Sequence, residues 1–104
     1  LACGTPSSIA LRVLADCASG FLCCDDEVAK RGMRVMGNPL GEDPPITSGE
    51  SGAVTLGALY ELCNNPANAA VREQMGLNAQ SQVLLFSTEG DTAPELYRDI
   101  VWGN

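Results

Sequence analysis

Two short segments carry side chains able to do chemistry. Ser87-Thr88-Glu89-Gly90-Asp91-Thr92 gathers three hydroxyls and two carboxylates around one glycine. It follows the apolar run Val83-Leu84-Leu85-Phe86, so it lies at the carboxyl end of a predicted strand and at the entrance to a predicted helix. Open α/β sheets bind ligands at that end of their strands. A hydroxyl there can donate a hydrogen bond to a ligand, and Gly90 lets the backbone turn sharply. The second segment is Ser48-Gly49-Glu50-Ser51-Gly52-Ala53. A lone glutamate between glycines opens a helix that is otherwise apolar. Its charge favours the helix N-terminus, and the neighbouring amides can cradle an anion. Taken alone, the first segment reads as a polar βα turn with a good cap, and Glu50 as an ordinary first-turn acid, because short motifs are weak evidence.

The residues that are missing or isolated exclude several chemistries. There is no histidine, which removes Ser-His and Cys-His nucleophile pairs and a histidine base or metal ligand from these residues. Lys30 is the sole lysine. It follows an acidic cap on an amphipathic helix, beside Arg31, and reads as a solvated surface residue. Gly37-Asn38-Pro39-Leu40-Gly41 contains glycines but no run suited to a phosphate cradle. Cys3, Cys17, Cys23, Cys24 and Cys63 form no Cys-x-x-Cys pair, so a zinc ribbon or thioredoxin-like site has no support, and no metal is expected. Cys17, Cys23, Cys24 and Cys63 sit in apolar contexts and read as small buried hydrophobes. Cys3 can pair with a residue outside the sequence, but nothing else motivates that. The odd, scattered set suits a reducing cytoplasm.

The 13 acidic and 6 basic residues give a net charge of −7. That balance repels nucleic acid, and no basic stripe offsets it. The apolar run Val83–Phe86 is far too short to cross a bilayer. At 104 residues the chain suits one domain with a modest core and no internal boundary. Its opening, Leu1-Ala2-Cys3-Gly4, reads as the interior of a longer polypeptide.

The elements that must position these residues follow from periodicity and caps. A helix is expected from about Pro6 to Ala18, with Thr5 as cap, Pro6 at the first helical position, and Ile9, Val13 and Cys17 on one face. Phe21-Leu22-Cys23-Cys24 reads as a buried parallel strand. Asp25 or Asp26 then caps a helix over about Glu27–Met36, whose apolar set includes Val28, Ala29, Met33 and Met36. Gly37 to Gly49 is a loop with three prolines. Ser51–Cys63 reads as a buried helix, capped by Ser48 or Ser51, whose small residues allow close packing. A polar helix over about Pro66–Met75 leads to Gly76. A second strand, Gln82–Phe86, precedes a last helix over about Ala93–Trp102, where Thr92 and Glu95 have the spacing of a capping box. Two strands among helices give an α/β class, with parallel strands covered by helices and a sheet incomplete on its own.

Ile46-Thr47-Ser48-Gly49-Glu50-Ser51-Gly52-Ala53 and Leu85-Phe86-Ser87-Thr88-Glu89-Gly90-Asp91-Thr92 also carry a resemblance. Thr47–Leu62 and Val83–Trp102 resemble diaminopropionate ammonia-lyases over their full length. Gly32–Gly41 and Leu1–Gly4 resemble the same family, in the same order, while Asn64–Gln82 is the least diagnostic part. The resemblance implies the C-terminal portion of a fold type II, tryptophan synthase β-like enzyme that uses pyridoxal 5′-phosphate. In such enzymes a late serine or threonine bonds the pyridine nitrogen of the cofactor. Ser87 stands at that position, with Thr88 in reserve, and Glu50 matches a glutamate near the cofactor ring.

A neutral hydroxyl, unlike a carboxylate, leaves the pyridine nitrogen free to stay unprotonated. That suits elimination of a β-substituent, and serine or threonine dehydratases share the logic. The family's Schiff-base lysine and phosphate loop lie earlier in its chains, so this segment carries no catalytic residue and is expected to be inactive by itself. The implied activity is conversion of 2,3-diaminopropionate to pyruvate and ammonia. The implied partners are a small amino-acid substrate, the remainder of the polypeptide and a second copy in a homodimer. A different-class reading is a non-catalytic acidic α/β binding module.

Overall fold

The computed structural model describes residues 4–103, and Cys3 lies outside them. Five α-helices follow one another, α1 Ser8–Cys17, α2 Asp26–Gly37, α3 Glu50–Asn64, α4 Ala69–Gln74 and α5 Pro94–Val101, with a 3-10 turn at Pro66–Asn68 before α4. Helix positions agree with the periodicity to within a few residues, but several ends are built differently.

The Asp25 side chain accepts from the Val28 amide and caps α2, with Asp26 and Glu27 in its first turn. At α1 the cap is Ser7, accepting from Ala10, which moves the start two residues beyond the expected Pro6. The last helix starts at Pro94 with Ala93 as cap and no side-chain cap bond. The Thr92–Glu95 capping box therefore does not form. Thr92 instead donates to the Glu89 carboxylate, and the rigid φ of Pro94 starts the helix one residue beyond Ala93.

The two expected strands are not present. Phe21–Cys24 and Gln82–Phe86 carry no regular structure, and no strand occurs among the described residues. A strand is defined by its ladder, and no backbone hydrogen bond is made by Val83–Phe86 to any described residue. The physical reason lies in the sequence itself, since a fully apolar strand needs neighbours on both edges and cover on both faces. What folds here is the helical layer.

That layer is built on a close crossing of α2 and α3. Gly32 and Gly57 meet there, each against the other helix's backbone. A Cβ on Gly32 would run into the Ala53 carbonyl, and one on Gly57 into the Val28 carbonyl. Helix α5 packs against α2 beside the crossing, and Met33, Ala53 and Ile100 form the core, with Met36, Tyr97 and Val101 packed against it. Charged side chains finish the helix ends. The Arg34 Nε donates to the Ile100 carbonyl at 2.9 Å, and an Arg72 Nη1 donates to the Leu62 carbonyl at 2.6 Å. Both place a cation at a helix C-terminus, where the dipole favours it.

The rest of the apolar surface is uncovered. Helix α1 packs against no other helix among the described residues, and Ile9, Val13, Leu14, Phe21, Leu84 and Phe86 are all exposed. Cys17, Cys23, Cys24 and Cys63 are exposed free thiols, which corrects the expectation that they are buried. Cys17, Cys23 and Cys24 lie on segments that have no cover here, and Cys63 lies in the last turn of α3 with its side chain exposed. The accessible surface is 7906 Å², against about 5,600 Å² for a compact monomer of this size. The radius of gyration of 14.8 Å likewise exceeds the ~13 Å of a compact domain of this length. No helix of the described residues is long and apolar enough to cross a membrane.

Candidate functional site

The two chemistry-bearing segments, about forty positions apart, converge at the N-terminus of α3. Ser48 immediately precedes Gly49, the cap residue of that helix, and is fully buried at 0 % exposure. Its Oγ lies 3.0 Å from the Ser87 Oγ. The same atom is within donating distance of the Glu89 carbonyl at 3.0 Å and of the Gly49 carbonyl at 3.1 Å. The backbone closes the joint, because the Gly49 amide donates to the Glu89 carbonyl at 3.1 Å.

Gly52 makes the convergence possible. A Cβ at Gly52 would meet the Ser48 hydroxyl, and would lie 2.6 Å from the Ser87 Oγ and 2.9 Å from the Glu89 carbonyl oxygen. No side chain fits there without driving the two serines apart.

Neither Ser48 nor Ser51 caps α3, whose N-cap Gly49 makes no side-chain cap bond. The orphan donors at the helix start are met from the other segment. Glu89 Oε1 accepts from the Ser51 amide at 3.0 Å, and its Oε2 accepts from the Thr92 hydroxyl at 2.6 Å. Those bonds, the Thr92 hydroxyl first and then the Ser51 amide, hold the Glu89 carboxyl below the ordinary carboxylate range. An anion at a helix N-terminus is favoured by the dipole as well.

Glu89 therefore performs the capping that the sequence reading gave to Ser48 or Ser51. Its position in a polar turn offered no signal of this. A cap supplied from another segment leaves no local pattern to read.

The three expected site residues fall into different places. Ser87 is exposed, and its hydroxyl makes one hydrogen bond, to Ser48. Thr88 is also exposed and reaches back to the Ser51 carbonyl at 3.5 Å, a weak contact at the limit of hydrogen bonding. Glu50 is half-buried in the first turn of α3 and lines a cleft of about 30 Å³ with Met33, Glu89, Thr92 and Tyr97. Such a cleft holds about one water molecule, too little for an amino acid or a cofactor. Lys30 pairs with Glu27 at 3.1 Å and does not line this cleft. Among the described residues no group of His, Cys, Asp or Glu side chains has a metal-binding arrangement. The Cys24 thiol is pushed above its ordinary value by burial, with Asp25 and Cys23 adding to the effect.

The electrostatic outcome is specific. The Glu89 carboxylate is occupied by Ser51 and Thr92, so what faces outward at the end of residues 83–86 is a neutral hydroxyl. A hydroxyl supported from behind by a second hydroxyl can donate one hydrogen bond to an acceptor atom without adding charge.

Fold and sequence match a C-terminal segment of a carbon–nitrogen lyase. No protein-family model matches the chain. The lyase is diaminopropionate ammonia-lyase. The chain is 49% identical to that of Escherichia coli (strain K12) over 102 residues, covering 98% of this chain and 26% of the relative. It is 48% identical over 103 residues to that of Salmonella typhimurium (strain LT2), with 98% and 26% covered. The chain thus spans about a quarter of the length of the curated relatives it matches.

Crystal structures of the Escherichia coli enzyme superpose on nearly all of it. The complex with an aminoacrylate-PLP azomethine reaction intermediate matches with a TM-score of 0.89 at 49% identity, over 98% of this chain and 27% of that one. The complex with D-serine matches with a TM-score of 0.89 at 48% identity, over 97% and 26%. The resemblance read from the sequence holds over 98% of the chain, including the stretch that carried the least of it.

Proposed function

We propose that this chain is part of the catalytic domain, without an internal boundary, of a pyridoxal-phosphate-dependent ammonia-lyase that converts 2,3-diaminopropionate to pyruvate and ammonia. The observation that supports this most strongly is 49% identity sustained over 98% of the chain, with both serine-bearing segments inside it. The local chemistry fits the cofactor. The Ser48–Ser87 hydroxyl pair, brought together over the side-chain-free Gly52, offers a neutral donor, and the adjoining carboxylate is tied off.

When bound, the cofactor withdraws electrons from the substrate Cα. The part of this chain is to set how strongly. Ser87, with Thr88 as the next residue able to serve, donates to the ring nitrogen and leaves it uncharged. A carboxylate in that place would hold the nitrogen protonated and deepen the electron sink. The weaker sink favours departure of the β-amino group as the Cα proton leaves. Glu50, half-buried and with a side chain that bonds no described residue, stands near the ring edge.

The covalent lysine and the phosphate-binding loop come from the rest of the polypeptide. That remainder also supplies parallel neighbours for residues 83–86 and cover for α1. The enzyme works on a small amino acid, as a homodimer in the cytoplasm.

The test uses the full-length polypeptide. Pyruvate and ammonia should form from 2,3-diaminopropionate only when pyridoxal phosphate is present. Faster turnover of serine or threonine would move the protein to the dehydratases. No turnover of any of them by cofactor-loaded protein would leave a binding module as the better reading.

A further inference from the structure

Ser48 is the largest polar side chain among the fully buried ones, and its hydroxyl has three neighbours but one proton. Each hydroxyl donates once and accepts up to twice. The Gly49 carbonyl already accepts from the Ala53 amide at 3.0 Å, and the Glu89 carbonyl from the Gly49 amide at 3.1 Å. Neither carbonyl depends on Ser48. Ser87 Oγ, by contrast, has no other hydrogen-bond partner among the described residues.

Resting on the reading that Ser87 meets the cofactor's ring nitrogen, we propose that Ser48 is a positioning residue that fixes Ser87 as a donor. Ser48 gives its proton to Ser87 Oγ, and the Ser87 proton is thereby directed outward to the ring nitrogen. The reverse order would put the Ser87 proton on Ser48 and the Ser48 proton on the second lone pair of the Glu89 or Gly49 carbonyl. It would then present only a lone pair to the ring. Ser48 is held for this task by full burial, by the joint between Gly49 and Glu89, and by the missing Cβ of Gly52. Two hydroxyls in series also polarise each other, which strengthens the outer bond.

The test reconstitutes the full-length enzyme with pyridoxal phosphate labelled with nitrogen-15 in the ring. The ring-nitrogen resonance and the cofactor Kd are then read for wild type, Ser48→Ala, Ser87→Ala and the double variant. Ser87→Ala should move the resonance toward that of an unbonded nitrogen and weaken cofactor binding about 2–10-fold, the loss of one net hydrogen bond. Ser48→Ala should move it in the same direction by less, and should add nothing in the Ser87→Ala background. If Ser48→Ala does not accumulate as holoenzyme, Ser48→Cys replaces it and should give a smaller shift of the same sign.

A shift with Ser87→Ala but none with either Ser48 variant overturns the relay and leaves the Ser87 contact standing. An equal Ser48 effect in both backgrounds overturns it too, because a general packing role does not depend on Ser87. No shift with Ser87→Ala overturns the ring contact itself, and the relay with it.

Discussion

Gly32 of α2 and Gly57 of α3 sit against each other at the helix crossing, and a Cβ on Gly32 would come within 2.9 Å of the Gly57 amide nitrogen. The approach is backbone to backbone, so no side-chain rotamer can make room. This crossing fixes how α3 lies against α2. Ser48 and Gly52, at the start of α3, take their place from it, with Ala53, the residue after Gly52, in the core against Met33 of α2.

Gly57→Ala is therefore expected to cost stability. The added methyl meets the Val28 carbonyl, and only separation of the two helices relieves it. Overpacking of a well-packed contact costs about 1–3 kcal/mol. The midpoint of urea unfolding of the full-length protein should fall accordingly with its slope unchanged. Gly76→Ala makes a useful contrast. Its penalty comes from the positive φ of 71°, which disfavours a side chain, while open space surrounds that position. An unchanged midpoint for Gly57→Ala would show that the helices do not meet here.

Glu89→Gln should weaken the joint between the two site segments in a pH-dependent way. The carboxyl titrates below its ordinary value in the folded chain because Thr92 and Ser51 bond its charged form. A group depressed on folding contributes stability that is fully present above its unfolded pKa and is lost as pH falls through the folded one. The difference in stability between wild type and Glu89→Gln is accordingly largest near neutral pH and closes on the acid side of the carboxylate range. Urea midpoints of both proteins across acid to neutral pH give the comparison. A difference that stays constant with pH would mean that the charge of Glu89 contributes nothing.

The sequence made much of this legible, and the limits have physical causes. Helices α2 and α3 show their positions through apolar spacing and, at α2, a local acidic cap at Asp25. The small residues of α3 correctly signalled close approach. Ser87 and Glu50 are singled out only through the family resemblance, and the Ser48–Ser87 contact leaves no local signal, because nothing in the spacing reveals a hydroxyl about forty positions away. The cap from Glu89 was hidden for the same reason. Phe21–Cys24 and Val83–Phe86 have the composition of buried strands, yet a strand is a property of a pair, and composition states only the need for partners. The cysteine reading shared that limit, since Cys17 and Cys23 are apolar in context but exposed in this body.

The chain studied by itself should not unfold as one cooperative unit. Its core is small, and Ile9, Phe21, Leu84 and Phe86 are each at least 70 % exposed. Apolar patches and strand segments without ladders favour self-association. Far-ultraviolet circular dichroism should show helix, while heating should give a broad change and a hydrophobic dye should bind before heating. A sharp two-state transition of a monomer, with no dye binding, would sink the idea that cover from the rest of the polypeptide is needed.

Ser87→Asp in the full-length enzyme distinguishes a ring contact from a turn residue. The carboxylate would stand beside the buried Ser48 hydroxyl and can accept its proton at about the present 3.0 Å. It then faces the ring nitrogen as an anion and favours the protonated form of that nitrogen. Electron withdrawal from the substrate Cα increases, so the Cα carbanion lives longer before the β-amino group departs. Elimination should slow, while exchange of the Cα proton with solvent and racemisation should rise relative to pyruvate formation. The cofactor's absorption spectrum should shift as well. Ser87→Ala, which removes a bond without adding charge, should slow elimination modestly and leave the product ratio near that of the wild type. An unchanged spectrum and product ratio in Ser87→Asp would place Ser87 away from the ring and make Thr88, one residue on, the hydroxyl to examine.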